Sequence, residues 1–221
     1  MHGTNEPAKL VAGLTDLFTR YGDSVQVGFE IPSDQMTTFI KQRTDSSVFH
    51  SDFFSKYSVD GRATVAWATA IAKARQNSKA TVFFYDVNGN YSSDRDSLMY
   101  LNIKTKLSEH PKWKTITIGG NIHNMLLPYK GQNKTAYFLY HDTDLNIADR
   151  ICSLNHQYQS GTMLNNIGKG LQLRDIGTIN SEYSKLNYDN YLFLFPINVV
   201  DSYSGMYFTK QVTAAELVNS K

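Results

Sequence analysis

Three short apolar runs, each closing on a polar or glycine-rich end and each tied to a helical pattern, constrain this chain more than any other feature. They are SVQVGFE at 24–30, KATVFFYD at 79–86 and KTITIG at 114–119. Runs of this length, rich in Val, Ile, Thr and Phe, read as buried strands. Helical spacing fills the intervals. Residues 7–21 place Leu10, Val11, Leu14, Leu17 and Phe18 on one stripe, opened by Asn5, Glu6 and Pro7 and stopped by Gly22. Pro32-Ser33-Asp34 opens a second helix through about residue 43, and Asp60-Gly61-Arg62 launches a third over 63–76. A polar loop at Asn88-Gly89-Asn90 leads to a fourth over about 92–109, stopped by Pro111. Alternation with short connections predicts an α/β fold of three layers, a mostly parallel central sheet with helices on both faces.

The remaining segments are less regular. Residues 45–60 carry Phe49, Phe53, Phe54 and Tyr57 and read as a short helical or irregular insertion covering a pocket. Residues 135–140 and 151–159 are further strand candidates, and YLFLF at 191–195 reads as a last buried strand. The stretch 160–186, rich in Gly, Asn and Ser, reads as loops around the sheet edge. With no internal repeat and 221 residues, a single domain over 1–221 is expected.

Composition narrows the function. Apolar residues at 41% and charged residues at 19% describe a globular chain rather than a disordered one. A net charge of +2 without a Lys/Arg cluster gives no nucleic-acid footprint. No run approaches the ~18 apolar residues of a membrane span. Cys152 is the only cysteine, which excludes an internal disulfide and any cysteine-built zinc site. In the run Ile151-Cys152-Ser153-Leu154 it reads as a small buried hydrophobe.

Ligands of open α/β sheets bind beyond the carboxyl ends of the strands. Glu30, Asp86 and His123, the last just after Gly119-Gly120-Asn121, fall at such ends. His2 joins them if a strand precedes Met1. Two imidazoles and a carboxylate at one rim can activate water, directly or through a metal. Gly3, Gly28, Gly119 and Gly120 flank these residues and let the backbone approach a ligand. Each residue also has a purely structural reading: a hydrogen-bonded core histidine, a Glu30 that serves the next helix, and Asp94, Arg95 and Asp96 as a charged first turn.

Taken in order, the motifs resemble a known group of proteins. His2-Gly3-Thr4-Asn5-Glu6 is similar to the HG-x-x-E of the superfamily of erythromycin esterases, Tiki proteases and haem-binding ChaN-type lipoproteins. Gly28-Phe29-Glu30 resembles its strand-end glutamate, and Asp60-Gly61-Arg62 a recurrent turn. Asp94-Arg95-Asp96 with Met99 and Asn102 resembles its R-[DE]-x-x-M-x-x-N helix, and Gly119-Gly120-Asn121-Ile122-His123 its G-x-x-H. Tyr188-Asp189 before YLFLF resembles a closing strand. The resemblance implies a hydrolase acting on an ester or amide of a small-molecule or peptide substrate. His2, Glu30, His123 and Arg95 would be catalytic, with histidine activating water and arginine steadying an oxyanion. It equally implies that His2, Glu6, Glu30 and His123 hold a divalent metal, Mn or Zn. A haem or iron handler, or an inactive module of a larger protein, are the alternatives it leaves open. The superfamily's first strand and its Gly-Glu are expected upstream of Met1, and a leader there would make the protein secreted or periplasmic.

Overall fold

The computed structural model describes residues 3–42, 44–56, 61–88, 94–166, 168, 170–179, 182–196 and 202–218. Six helices and seven strands carry the description: α1 (Glu6–Arg20), β1 (Val25–Pro32), α2 (Thr37–Gln42), α3 (Asp52–Lys56), α4 (Val65–Gln76), β2 (Ala80–Asp86), α5 (Arg95–Glu109), β3 (Lys114–Ile118), α6 (Thr135–Tyr140), β4 (Leu154–Asn166), β5 (Leu171–Asp175), β6 (Asn190–Leu194) and β7 (Gly205–Val212). The three runs anticipated as strands are β1, β2 and β3, which form a parallel sheet in the order β2-β1-β3. Parallel pairing brings all three carboxyl ends to one edge, which is what assembles the candidate site.

Side-chain alternation divides β1 between two cores. Val25, Val27, Phe29 and Ile31 face a cluster that holds Ala8 and Val11 of α1 and Trp67, Ala68 and Ile71 of α4. The opposite face meets α5. There Gln26 donates its side-chain amide to Lys106 O at 3.0 Å, and Phe83 and Tyr85 of β2 pack with Met99 and Ile103. Glu30 shares the parity of Gln26 and Gly28, so it points toward the α5 side. Burying the four β1 apolar chains contributes roughly 1.5–3 kcal/mol each. In α1 the buried stripe is Ala8, Val11, Thr15 and Thr19, rotated from the expected one, and Leu17 is exposed. The threonine hydroxyls donate to Val11 O and Thr15 O, one turn back, so the helix buries them without leaving a polar atom unsatisfied.

Several expectations are corrected. The fold is α/β, but it is not one mostly parallel three-layer sheet. A second sheet of four strands, β5-β4-β7-β6, pairs β4 with β7 in parallel and the remaining neighbours antiparallel. Residues 135–140 form helix α6 rather than a strand, because Thr135 anchors its first turn on Asp96 while Ala136 and Leu139 share the buried side. Within 160–186, β4 runs on to Asn166 and β5 follows. YLFLF belongs to β6, which lies at the sheet's edge with Leu192, Phe193 and Leu194 exposed; the buried last strand is β7. Cys152 is exposed, not buried.

The ends of the chain join the two sheets. Gly3 N donates to Gly61 O, while Gly3 O accepts from Leu164 N and Ala215 N. Gly3 adopts φ +84°, and a Cβ there would sit 1.9 Å from Leu164 O, so only glycine fits. Val65 N donates to Glu216 O at the start of α4. Among the described residues, no helix is long and apolar enough to cross a membrane.

Candidate active site

Glu30 and Asp86 emerge side by side at the carboxyl edge and are bridged by two arginines. Arg62, in the turn before α4, donates through Nη1 to Glu30 O at 2.7 Å, Asp86 Oδ2 at 2.9 Å and Glu30 Oε1 at 3.3 Å. Arg95, at the first residue of α5, grips Asp86 with a two-pronged pair, Nε to Oδ1 and Nη2 to Oδ2, both 2.8 Å. Its Nη2 also reaches Glu30 Oε1 at 2.8 Å. Burial opposes ionisation of Asp86, but hydrogen bonding and charge from Arg95 outweigh it, and its carboxyl is held below the usual range. Burial likewise opposes the charge on Arg95; Asp86 and Glu30 overcome it and strengthen its hold on the proton. Phe53, from the aromatic insertion, lies 5.7 Å from the Arg62 guanidinium carbon, a cation–π contact on the wall of this quartet.

The third strand end closes the other side. Gly120 N donates to Glu30 Oε2 at 2.5 Å. A Cβ on Gly119 would come 2.7 Å from that same oxygen and 2.6 Å from Tyr85 Oη, so the backbone passes where no side chain fits. Tyr85 donates its hydroxyl to Ile118 O at 2.8 Å, and burial followed by the nearby Glu30 and Asp86 charges raises its pKa well above the ordinary value.

His123 follows in a short 3-10 turn, Asn121–Asn124, with its side chain partly exposed. Its Nδ1 is 2.7 Å from Asp96 Oδ1, and its Nε2 is 3.1 Å from Arg95 Nη1 and 3.9 Å from Glu30 Oε1. Asp96 Oδ1 also accepts from Thr135 N at 2.9 Å and Thr135 Oγ1 at 2.8 Å, and Oδ2 accepts from Lys134 Nζ at 3.3 Å. Burial raises the Asp96 carboxyl, but the His123 and Thr135 hydrogen bonds prevail and bring it down to about 2. An ionised carboxylate only accepts, so Nδ1 must carry a hydrogen; a guanidinium only donates, so Nε2 must offer its lone pair. The surroundings therefore select the tautomer whose Nε2 carries no hydrogen and accepts from Arg95 Nη1.

Of the residues singled out from sequence, Glu30, Arg95 and His123 converge. His2 lies outside the described residues, as do Asp60 and the Gly89-Asn90 part of the polar loop. Glu6 is engaged elsewhere: its Oε1 accepts from Thr213 N and Oγ1, at 3.1 and 2.7 Å, just past β7. The site also uses Arg62, Asp86, Asp96, Lys134 and Thr135. Asp96 carried a signal, since it stands one position after Arg95 and one helical turn before Met99; Thr135 carried none, since its role depends on α6 docking against α5.

Of the four residues expected to hold a metal, Glu30 and His123 approach to 3.9 Å, Glu6 is engaged at Thr213, and His2 lies outside the described residues. Among the described residues, no group of three His, Cys, Asp or Glu side chains is arranged to hold one. Glu30 and Asp86 already face two guanidiniums, and a dication about 4 Å from each would meet repulsion of roughly 8 kcal/mol per arginine at an effective dielectric near 20.

No protein-family model and no curated protein matches the chain. Among solved structures, a Bacillus cereus protein superposes with a TM-score of 0.61 at 9% identity, over 98% of this chain and 88% of that one. The type III effector HopBA1 superposes with a TM-score of 0.46 at 15% identity, over 81% of this chain and 85% of that one. The Bacillus cereus likeness is one of fold, and function has to be argued from the site.

Proposed function

We propose that this chain is a hydrolase in which His123 activates water for attack on an ester or amide carbonyl. The observation that carries this reading is the imidazole clamped between the ionised Asp96 on Nδ1 and Arg95 beside Nε2, at the carboxyl edge of a parallel sheet. When Arg95 Nη1 turns from the ring to the substrate oxygen, a water takes its place at Nε2 and gives up a proton to the ring while its oxygen bonds the carbonyl carbon. Arg95 Nη1 donates to the developing oxyanion. The imidazolium then returns the proton to the departing alkoxide or amine as the acyl bond breaks. In this reading water, rather than a side chain, serves as the nucleophile. The ordered motifs shared with the esterase, Tiki and ChaN-like superfamily support the same assignment, and His2 remains part of the proposal through that resemblance alone.

The test replaces His123 by Ala and Asp96 by Asn, and assays a panel of esters and peptides with and without Mn²⁺ or Zn²⁺. Wild-type turnover without added metal and its loss in His123→Ala are expected. Turnover unchanged in His123→Ala removes the proposal, and turnover that requires metal moves it to the metal-assisted form. A Soret shift on titration with stoichiometric haem would favour the haem-binding alternative instead.

A further inference from the structure

Resting on the hydrolase reading, we infer that Thr135 is a positioning residue of the catalytic pair: its hydroxyl turns the Asp96 carboxylate toward His123 rather than toward the start of its own helix. Asp96 is the second residue of α5, and the N-cap Asp94 makes no side-chain cap hydrogen bond. Free amides and the helix dipole draw a carboxylate at such a place back onto the first turn. Asp96 faces the other way. Its Oδ1 meets His123 Nδ1 at 2.7 Å, Thr135 N at 2.9 Å and Thr135 Oγ1 at 2.8 Å, and its Oδ2 accepts from Lys134 Nζ at 3.3 Å. Thr135 Oγ1 also lies 3.3 Å from Asp96 O, so it sits against the main chain and the side chain of one residue and fixes how the two are set. Thr135 is buried, and its branched Cβ restricts χ1, so the hydroxyl cannot readily swing away.

Other contacts seat α6. Leu139 packs with Met99 and Ile103 of α5, and the Phe138 and Tyr100 ring centroids are 5.5 Å apart. Just past the helix, Asp142 accepts from Tyr100 Oη at 2.6 Å and from Lys104 Nζ at 2.9 Å. Removing one hydroxyl leaves all of these in place, so its loss is felt in the aim of Asp96 before it is felt in the docking of α6. Thr135 acts through Asp96. A carboxylate held on Nδ1 keeps the ring hydrogen there and leaves the Nε2 lone pair for the water.

The experiment uses the full chain, with two readouts. One is the long-range ¹H–¹⁵N spectrum of the His123 imidazole at alkaline pH. The other is steady-state hydrolysis of p-nitrophenyl butyrate. Thr135→Val keeps the branch and the size but removes the donor. It is expected to mix the two tautomers and to lower kcat about tenfold, with KM within about twofold of the wild type. Thr135→Ser restores the hydroxyl and is expected to restore both readouts. Asp142→Asn weakens the far contact of α6, and it is expected to lower Tm while leaving the tautomer as in the wild type. A wild-type tautomer in Thr135→Val overturns the inference whatever the rate, and so does a mixed one in Thr135→Ser or Asp142→Asn. If the wild type leaves the ester intact the hydrolase reading is what fails, and the spectra alone decide the role of Thr135. If Thr135→Val does not fold, Thr135→Ala removes the same donor and takes the same measurements.

Discussion

Replacing Arg95 by Met removes the cation that two buried carboxylates share while keeping a side chain of similar length. Three contacts at 2.8 Å are lost, two to Asp86 and one to Glu30, and the Arg95 side chain is only 13% exposed. Each carboxylate loses attraction on the order of 4 kcal/mol at an effective dielectric of 20, about 8 kcal/mol for the pair. Relief of the arginine's own desolvation offsets several kcal/mol, leaving a net loss of roughly 3–5 kcal/mol. For a chain of this size that corresponds to a fall in Tm of about 6–20 °C. Urea unfolding, followed through the buried Trp67, measures it directly. The pH dependence has a definite sign. Asp86 has its folded pKa below the ordinary carboxylate value, so its contribution is present above that ordinary value and lost as pH falls through the folded pKa. In Arg95→Met, Asp86 keeps only Arg62 of its two arginines and gains a proton more readily, so the deficit relative to wild type shrinks as pH drops from 7 toward 4. A loss below about 1 kcal/mol at pH 7, or a deficit independent of pH, would refute the reasoning that the quartet is a desolvated charge network.

Asp96→Asn supplies an amide where His123 Nδ1 needs an acceptor, and a fall in kcat of about 10²–10⁴ is expected against a smaller change in KM, measured by steady-state kinetics on the substrate found. Gly119→Ala forces a methyl against Glu30 and Tyr85, and a stability loss of roughly 1–3 kcal/mol is expected by thermal unfolding, together with weakened activity. Thr64 accepts from Trp67 N at 3.4 Å as the N-cap of α4, so Thr64→Ala should cost about 1 kcal/mol in the same assay. Burial pushes His156 down to about 3, so the neutral ring contributes stability that is complete above pH 6.5 and declines as pH falls toward 3. His156→Gln should flatten the acid limb of the stability profile over that window, and an unchanged limb would place the acid sensitivity elsewhere.

The parallel sheet was legible because each of its strands is a continuous apolar run bounded by turn signals, and the acidic strand ends pointed to the edge where the site lies. Glu30, Arg95 and His123 were readable from those ends and from motif order. Arg62 was visible only as part of a turn, since its bonds to Glu30 and Asp86 depend on the bulged end of β1 returning beside α4. The second sheet was harder. TAYFLY looks strand-like by composition, yet capture of its first residue by Asp96 makes it helical, a tertiary contact overriding local preference. The GMYFT start of β7 is buried on both faces and shows no alternation, whereas YLFLF, the more apolar run, occupies the edge. Hydrophobicity alone therefore pointed to YLFLF as the last buried strand, a place that β7 takes.

The most direct measurement is a long-range ¹H–¹⁵N spectrum of the His123 imidazole in the full chain at alkaline pH, beside that of Asp96→Asn. A hydrogen on Nδ1 and a bare, proton-accepting Nε2 are expected in the wild type, with that preference lost in the variant. A wild-type ring protonated at Nε2, or one averaging freely between tautomers, would contradict a histidine oriented by Asp96 to draw a proton from water.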